Sequence, residues 1–322
     1  MIKTIGNLRL ISGTSNQALA DAISRKLNVS LTPVKISKFI DGESYARILE
    51  KVRGEDVFII QPTCYPVNDH LMELLILTDA VRRASAGRIN LVIPFFGYAR
   101  QDRKNLEREA ITAKLVANLI TVAGANRVII VDIHSDQIEG FFDIPVDHIR
   151  ALSRIAKYFK KLDLRDFVVV APDEGSVKVN NKLSQILGVP LVVISKQRDK
   201  TKVDSFEHIM LLGDVKGKNV IIIDDEINTG GTIVRAAELL KKHGAKEVYV
   251  SCTHAILAGP AIERLEKAPI KEVVVTDTIP LPEEKRIGKI KVLSLAPILA
   301  KTIKAIHEDT SLGKVLEEWR KV

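Results

Sequence analysis

Residues 220–233 read VIIIDDEINTGGTI. A run of β-branched residues (Val220, Ile221, Ile222, Ile223) predicts a buried strand, and two carboxylates, Asp224 and Asp225, follow at its exit. Asn228, Thr229, Gly230, Gly231 and Thr232 then open into IVRAAELLKKHG, an amphipathic helix that stops at Gly244. Such a turn offers main-chain N–H groups, hydroxyls and the positive end of a helix, which together suit a phosphate monoester. Glycines let the backbone approach the anion and take positive φ. The two acids upstream repel a polyphosphate but can accept hydrogen bonds from a sugar diol. Phosphate at one end and hydroxyls at the other describe a ribose 5-phosphate. The plainer alternative is a strand–turn–helix corner with solvated acids.

Outward from this corner, the same alternation fills the chain. Strands are expected at 8–13 (LRLISG), 34–39 (VKISKF), 56–62 (DVFIIQP), 89–96 (INLVIPFF) and 127–134 (RVIIVDIH). More follow at 166–173 (DFVVVAPD), 190–196 (PLVVISK), 219–225, 247–254 (EVYVSCTH) and 272–277 (EVVVTD). Helical patterns separate many of them, for example at 16–27, 67–85, 111–124, 177–188 and 260–267. That order predicts an α/β protein with mainly parallel sheets flanked by helices. The boundary is expected near Asp147–Leu152, giving an N-terminal domain of residues 1–150 plus 306–322 and a C-terminal domain of 151–305. Both halves carry the same strand-then-charged-loop layout, as a duplicated fold would. Ligand chemistry in open parallel sheets collects at the carboxyl ends of the strands.

Composition narrows the function classes. With 322 residues and 46% hydrophobic content, the chain can build two ordinary cores. No apolar run reaches the length of a membrane span, the first residues lack a signal-peptide layout, and Cys64 and Cys252 are the only cysteines. The expectation is a cytoplasmic, reduced protein with no membrane partner. The net charge is +8, but aromatic residues make up only 5% and the basic residues are interleaved with acids. This charge favours small polyanions over nucleic acid.

Six segments, taken in order, resemble the ribose-phosphate diphosphokinase (phosphoribosyl pyrophosphate synthetase) family. They are FIDGE at 39–43, FFGYARQDRK at 95–104, VDIHSDQIEGFFDIPVDHI at 131–149, APDEG at 171–175, SKQR at 195–198 and DDEINTGGT at 224–232. The resemblance runs from about Leu10 to His307. It implies two similar phosphoribosyltransferase-like domains, with the ATP-site and flap motifs in the first and the ribose-phosphate loop in the second. The implied reaction moves an intact diphosphoryl group from ATP to the C1 hydroxyl of ribose 5-phosphate, giving phosphoribosyl pyrophosphate and AMP for nucleotide biosynthesis.

The resemblance also implies roles. Lys196 and Arg198 stand two apart in an extended segment and so leave one face of it; the family uses this pair to steady the transferring group, with Arg198 also reaching the ribose phosphate. A solvated basic loop is the plainer description. Arg100, Gln101 and Asp102 fall in a charged loop, expected as a flap that grips ATP phosphates and excludes water. Phe39, Asp41, Gly42 and Glu43 are expected to form an extended wall for adenine, with Phe39, Asp41 and Glu43 at alternate positions; on sequence alone a strand end with a turn glycine is the plainer description. In the family this wall completes the ATP site of a neighbouring subunit, which implies a dimer-based homo-oligomer, as large as a hexamer. Mg²⁺ is the implied cofactor, placed near His134 and Asp173; it prefers oxygen ligands and keeps most of its waters. Asp224, Asp225, Asn228 and Thr229–Thr232 are assigned to ribose 5-phosphate.

Several positions depart from the family pattern. Glu226 replaces an apolar residue, and Asn228 replaces an acid, which argues against a general base in the loop. Glu174 and Ala110 stand at rim positions. Gly313 replaces a serine of the family's regulatory tail, leaving control by phosphate and ADP open. Two other functions share part of this pattern. A phosphoribosyltransferase shares the DD…TGGT loop but needs neither the FIDGE wall nor the Lys196/Arg198 pair. A non-catalytic paralogue should have lost residues of the reaction centre, whereas this chain keeps them.

Overall fold

The apolar runs at the centres of the sheets become strands buried on both faces, and alternate side chains feed different layers of core. A computed structural model describes residues 6–197 and 208–320. The chain divides into two units, one formed by residues up to 150 with 278–280 and 294–320, the other by 151–277 with 281–293.

In the first unit, β1 (Leu8–Ser12), β4 (Asp56–Ile60), β5 (Arg88–Ile93), β6 (Arg127–Val131) and β7 (Val146–Ile149) form a parallel sheet in that order. β2 (Val34–Lys38) and β3 (Ser44–Ile48) make a separate antiparallel hairpin. Val57, Ile59, Leu91, Ile93, Val128 and Ile130 share one face of the sheet. The helices α2 (Val67–Arg83) and α3 (Thr112–Ala123) pack on that face through Leu74, Leu77, Val116 and Ile120. Helix α1 (Gln17–Leu27) also belongs to this unit.

In the second unit, the helices are α4 (Leu152–Phe159), α5 (Val177–Leu187), α6 (Gly231–Lys242) and α7 (Ala261–Lys267). The strands are β8 (Phe167–Ala171), β9 (Leu191–Gln197), β10 (His208–Leu212), β11 (Asn219–Ile227), β12 (Glu247–Ala255), β13 (Glu272–Thr276) and β14 (Ile290–Leu293). They form one sheet in the order β10-β9-β8-β11-β12-β13-β14, parallel except for the β9–β10 pair. Val168, Val170, Val220, Ile222, Val248 and Val250 face α6 and α7. Val169, Ile221, Ile223 and Tyr249 face α4 and α5. This two-sided burial is why the strands read as unbroken apolar runs.

The last helices, α8 (Ala296–His307) and α9 (Leu312–Arg320), return to the first unit, where α8 packs on α1. Cys64 and Cys252 are both buried, one in each unit. No helix among the described residues is long and apolar enough to cross a membrane.

Candidate functional site

The second sheet changes direction between β8 and β11. After β8 the chain builds β9 on one side, and after β11 it builds β12 and β13 on the other. The crevice beyond the carboxyl ends at such a switch point is where open α/β sheets hold ligands. Asp173 lies just past β8 and Asp224 lies on β11.

The strand expected over 219–225 runs on to Ile227, so both acids lie inside it and not at its exit. β11 continues to Ile227, in register with β12 as Asp224↔Cys252 and Glu226↔His254. Partial burial and the neighbours Asp225 and Asp173 push the Asp224 carboxyl up to about 8. Each acid also accepts a hydrogen bond from the next main-chain amide, Asp224 Oδ1 from Asp225 N at 2.9 Å and Asp225 Oδ1 from Glu226 N at 2.8 Å. Asp173 Oδ1 accepts from Ser176 N–H at 2.9 Å, which fixes the carboxylate at the start of α5.

Asn180, missed at the sequence level, bridges the switch point. β8 pairs with β11 only as far as Ile222. At Ile223 the fully buried Asn180 side chain replaces a strand: Nδ2 donates to Ile223 O at 2.9 Å and Oδ1 accepts from Ile223 N at 3.3 Å. The signal was available, because Asn180 interrupts the apolar stripe Val177, Leu183, Leu187 of its helix.

The TGGT corner is held from behind. Leu257 N–H donates to Ile227 O at 3.0 Å, Ala258 N–H to Asn228 O at 2.9 Å, and Arg264 Nη1 to Thr229 O at 3.0 Å. Gly230 caps α6 with φ +73°, where a side chain is strained. With the carbonyls drawn backward, the opening N–H groups of α6, which have no partner a turn earlier, are the donors left for an anion. A Cβ on Gly231 would lie 3.4 Å from Arg235 Nη1 and 3.5 Å from Arg264 Nη1, so two guanidinium groups converge over this glycine. Arg235 is one turn into the helix, and helical side chains lean toward the N-terminus; its spacing from Gly231 was the unread signal. Thr229 and Thr232 are exposed, and Asn228 is half-buried. Lys196 stands on β9 opposite Ile209 of β10, while Arg198 lies outside the described residues.

The first unit carries the remaining candidates. FIDGE is not an extended wall but the turn of the β2–β3 hairpin. Phe39 N–H donates to Glu43 O at 2.8 Å, Gly42 N–H to Phe39 O at 2.9 Å, and Gly42 has φ +96°. The alternation expected for Phe39, Asp41 and Glu43 is therefore lost, because a tight turn folds the segment back on itself. Asp41 Oδ1 accepts from Glu43 N at 3.2 Å, and Phe39 stacks edge-on against Tyr45 with centroids 5.8 Å apart while staying over half exposed.

Arg100, Gln101 and Asp102 lie in the irregular segment between β5 and α3. Gln101 O accepts from Ala113 N at 3.2 Å and Gln101 Oε1 from Thr112 Oγ1 at 2.6 Å, tying the loop to the start of α3. Gln137 Nε2 donates to Asp102 Oδ2 at 3.0 Å and so joins this loop to the segment after β6. Exposed His134 stands in that segment. Just before it, Asp132 takes φ +35°, a strained backbone of the kind that clusters at working sites and costs about 1–3 kcal/mol. Side-chain donor atoms of Asp136, Glu139 and His148 all lie within 4.8 Å of one another. Burial and Arg150 hold His148 below its usual value.

Two sequence profiles match: the N-terminal domain of ribose phosphate pyrophosphokinase over residues 8–124, and the phosphoribosyl synthetase-associated domain over 202–317. The chain is 53% identical to the ribose-phosphate pyrophosphokinase of Caldanaerobacter subterraneus, covering 98% of this chain and 99% of the relative. It is 51% identical to the Clostridium acetobutylicum protein of that name, covering 99% and 100%. The crystal structure of phosphoribosylpyrophosphate synthetase from Mycobacterium smegmatis superposes with a TM-score of 0.88 at 45% identity, covering 94% of this chain and 99% of that one.

Proposed function

The chain belongs to the ribose-phosphate pyrophosphokinase family, and from that premise we propose how its residues divide the work. The protein is an ATP-dependent transferase that moves the diphosphoryl group of ATP to the C1 hydroxyl of ribose 5-phosphate, releasing AMP. The observation that carries the assignment of its sugar site is the corner at the β8/β11 switch point. Three successive carbonyls there are pinned from behind, an N–H cluster opens at the start of α6, and paired acids stand on the preceding strand.

In this reading the N–H groups of Thr229–Thr232 hold the 5-phosphate, while Arg235 and Arg264 add positive potential over Gly231. Asp224 and Asp225 accept from ribose hydroxyls. Lys196 and Arg198 balance negative charge gathering on the transferring group, a role in which one arginine is worth about 10³–10⁵ in rate. Arg100, Gln101 and Asp102 belong to a flap over the ATP phosphates that keeps water from the activated group. Phe39, Asp41, Gly42 and Glu43 contact adenine, now from a hairpin tip. The first unit serves ATP and the second serves the sugar; the return to the first unit, expected at residue 306, begins at Ser294.

The family is metal-dependent, and Mg²⁺ is the ion proposed. Asp173, Asp224 and Asp225 fit it as oxygen donors, and a cation would favour the ionised form of Asp224 that burial and, after it, the charges of Asp225 and Asp173 oppose. His134 is assigned to the same chemistry in the first unit. When bound, the ion neutralises phosphate charge. The active form is a homo-oligomer in which the hairpin tip serves a neighbouring subunit; Ile111, Leu115, Leu119 and Val122 leave an apolar stripe exposed on and beside α3, as an interface helix would. The site of action is the cytoplasm.

Mixing protein, ATP, Mg²⁺ and ribose 5-phosphate should release AMP and form phosphoribosyl pyrophosphate; release of ADP in its place would show ordinary kinase chemistry. Lys196→Ala should lower turnover by about 10³ or more while ATP still binds. Near-normal turnover would remove Lys196 from the catalytic set.

A further inference from the structure

We propose that His148 is a positioning residue for the loop that carries His134, acting through the main-chain amide of Ile133, with Glu139 setting its tautomer. The proposal rests on the reading of His134 as a site residue.

At the end of β6 the chain must turn sharply, and Asp132 takes φ +35° to do so. Two consecutive amides of this turn are both claimed by the neighbouring β7. Asp132 N–H donates to Ile149 O at 3.0 Å, a ladder bond that any residue at 149 would offer. Ile133 N–H donates to His148 Nε2 at 3.0 Å, a bond that depends on the side chain. The amide can only donate to an unprotonated nitrogen, so the ring proton lies on Nδ1, which donates to the Glu139 carboxylate. The His148 side chain is only 6% exposed, so little water can reach Ile133 N–H in its place.

The surrounding charges are already committed. Arg150, on the other side of the turn, pairs with Asp136 at 2.5 Å and reaches Asp132 at 4.0 Å. The closeness of Asp136, Glu139 and His148 therefore does not describe an open metal site, because both ring nitrogens of His148 are in use. What the cluster does is over-determine a left-handed turn one residue before the peptide of His134. Carboxylate, imidazole and backbone amide form a relay whose output is the direction in which His134 leaves the sheet.

The test combines hydrogen exchange with steady-state kinetics. His148→Ala should speed exchange of the Ile133 amide and raise the KM for Mg–ATP by about 10- to 100-fold, with the KM for ribose 5-phosphate little changed. In His148→Gln, Oε1 lies where Nε2 lay, so it should restore protection of the amide and most of the Mg–ATP affinity, and it serves equally if the alanine variant folds poorly. Faster exchange with an unchanged KM for Mg–ATP would reduce His148 to a structural residue and overturn the proposal, as would a glutamine variant no better than alanine. His134→Ala provides the control. If it leaves Mg–ATP kinetics untouched, the proposal falls through its premise, a failure visibly different from the other two.

Discussion

Asp224 sits where burial, Asp225 and Asp173 all act against its ionised form, pushing it from 3.8 up to about 8. For a raised acid, the contribution to folding is complete below the unfolded value and is lost as pH rises through the folded one. In metal-free buffer the protein should therefore lose stability between about pH 4 and pH 8. Asp224→Asn should abolish that slope, melting several degrees above the native chain at pH 9 and close to it at pH 4. Thermal melts at the two pH values decide it. Asn180 makes a second claim at this scale. Its amide supplies both the donor and the acceptor that a missing strand would give Ile223. Asn180→Ala leaves a buried peptide group unpaired, which should cost about 1–3 kcal/mol in chemical denaturation and weaken ribose 5-phosphate more than ATP.

At the scale of elements, most strands that could be read from sequence are buried on both faces, since continuous β-branched runs leave few alternatives; β2, on the exposed hairpin, is an exception. The strands that escaped, β3, β7, β10 and β14, are four or five residues long and lie on a hairpin or at a sheet edge, too short for a pattern to register. The strand–turn–helix corner at 224–232 was legible because its glycines, hydroxyls and helix lie together in the chain. For FIDGE the plain reading, a strand end with a turn glycine, holds, while the alternating wall fails because Gly42 reverses the chain. Asn180, His148, Arg235 and Arg264 were missed for a different reason: each acts on a segment by a geometry that only folding creates. The corner itself gives a direct test. Gly230 holds φ +73° at the N-cap of α6, so Gly230→Ala should cost about 1–2 kcal/mol and raise the KM for ribose 5-phosphate with little effect on that for ATP. Equal changes in both constants would detach the turn from the sugar phosphate.

On the scale of the molecule, the return of the late helices to the first unit has an electrostatic anchor. Asp56, fully buried at the start of β4, accepts from Arg88 Nε at 2.8 Å and Nη2 at 2.7 Å, from Asn90 Nδ2 at 2.8 Å and from His307 Nδ1 at 2.9 Å. Burial alone pushes this carboxyl up, but the hydrogen bonds from Arg88, His307 and Asn90 outweigh it and hold the group below its usual value. The sign is opposite to that of Asp224: the contribution is present above 3.8 and is lost as pH falls through the lower, folded value. Asp56→Asn should therefore destabilise the protein by roughly 3–5 kcal/mol near neutrality, with the deficit shrinking in acid, and should loosen α8 first in hydrogen exchange.

The two thiols carry a practical consequence. Cys64 is 3% exposed and Cys252 not at all; burial pushes Cys64 up to about 11 and Cys252 higher than its ordinary value. Alkylating reagents attack the thiolate, so neither sulfur should react while its own half of the chain stays closed. Each cysteine is thus a natural clock for the opening of one half. Timed labelling read by peptide mass should show which half yields first on warming, and ribose 5-phosphate should slow the Cys252 clock more than the Cys64 one.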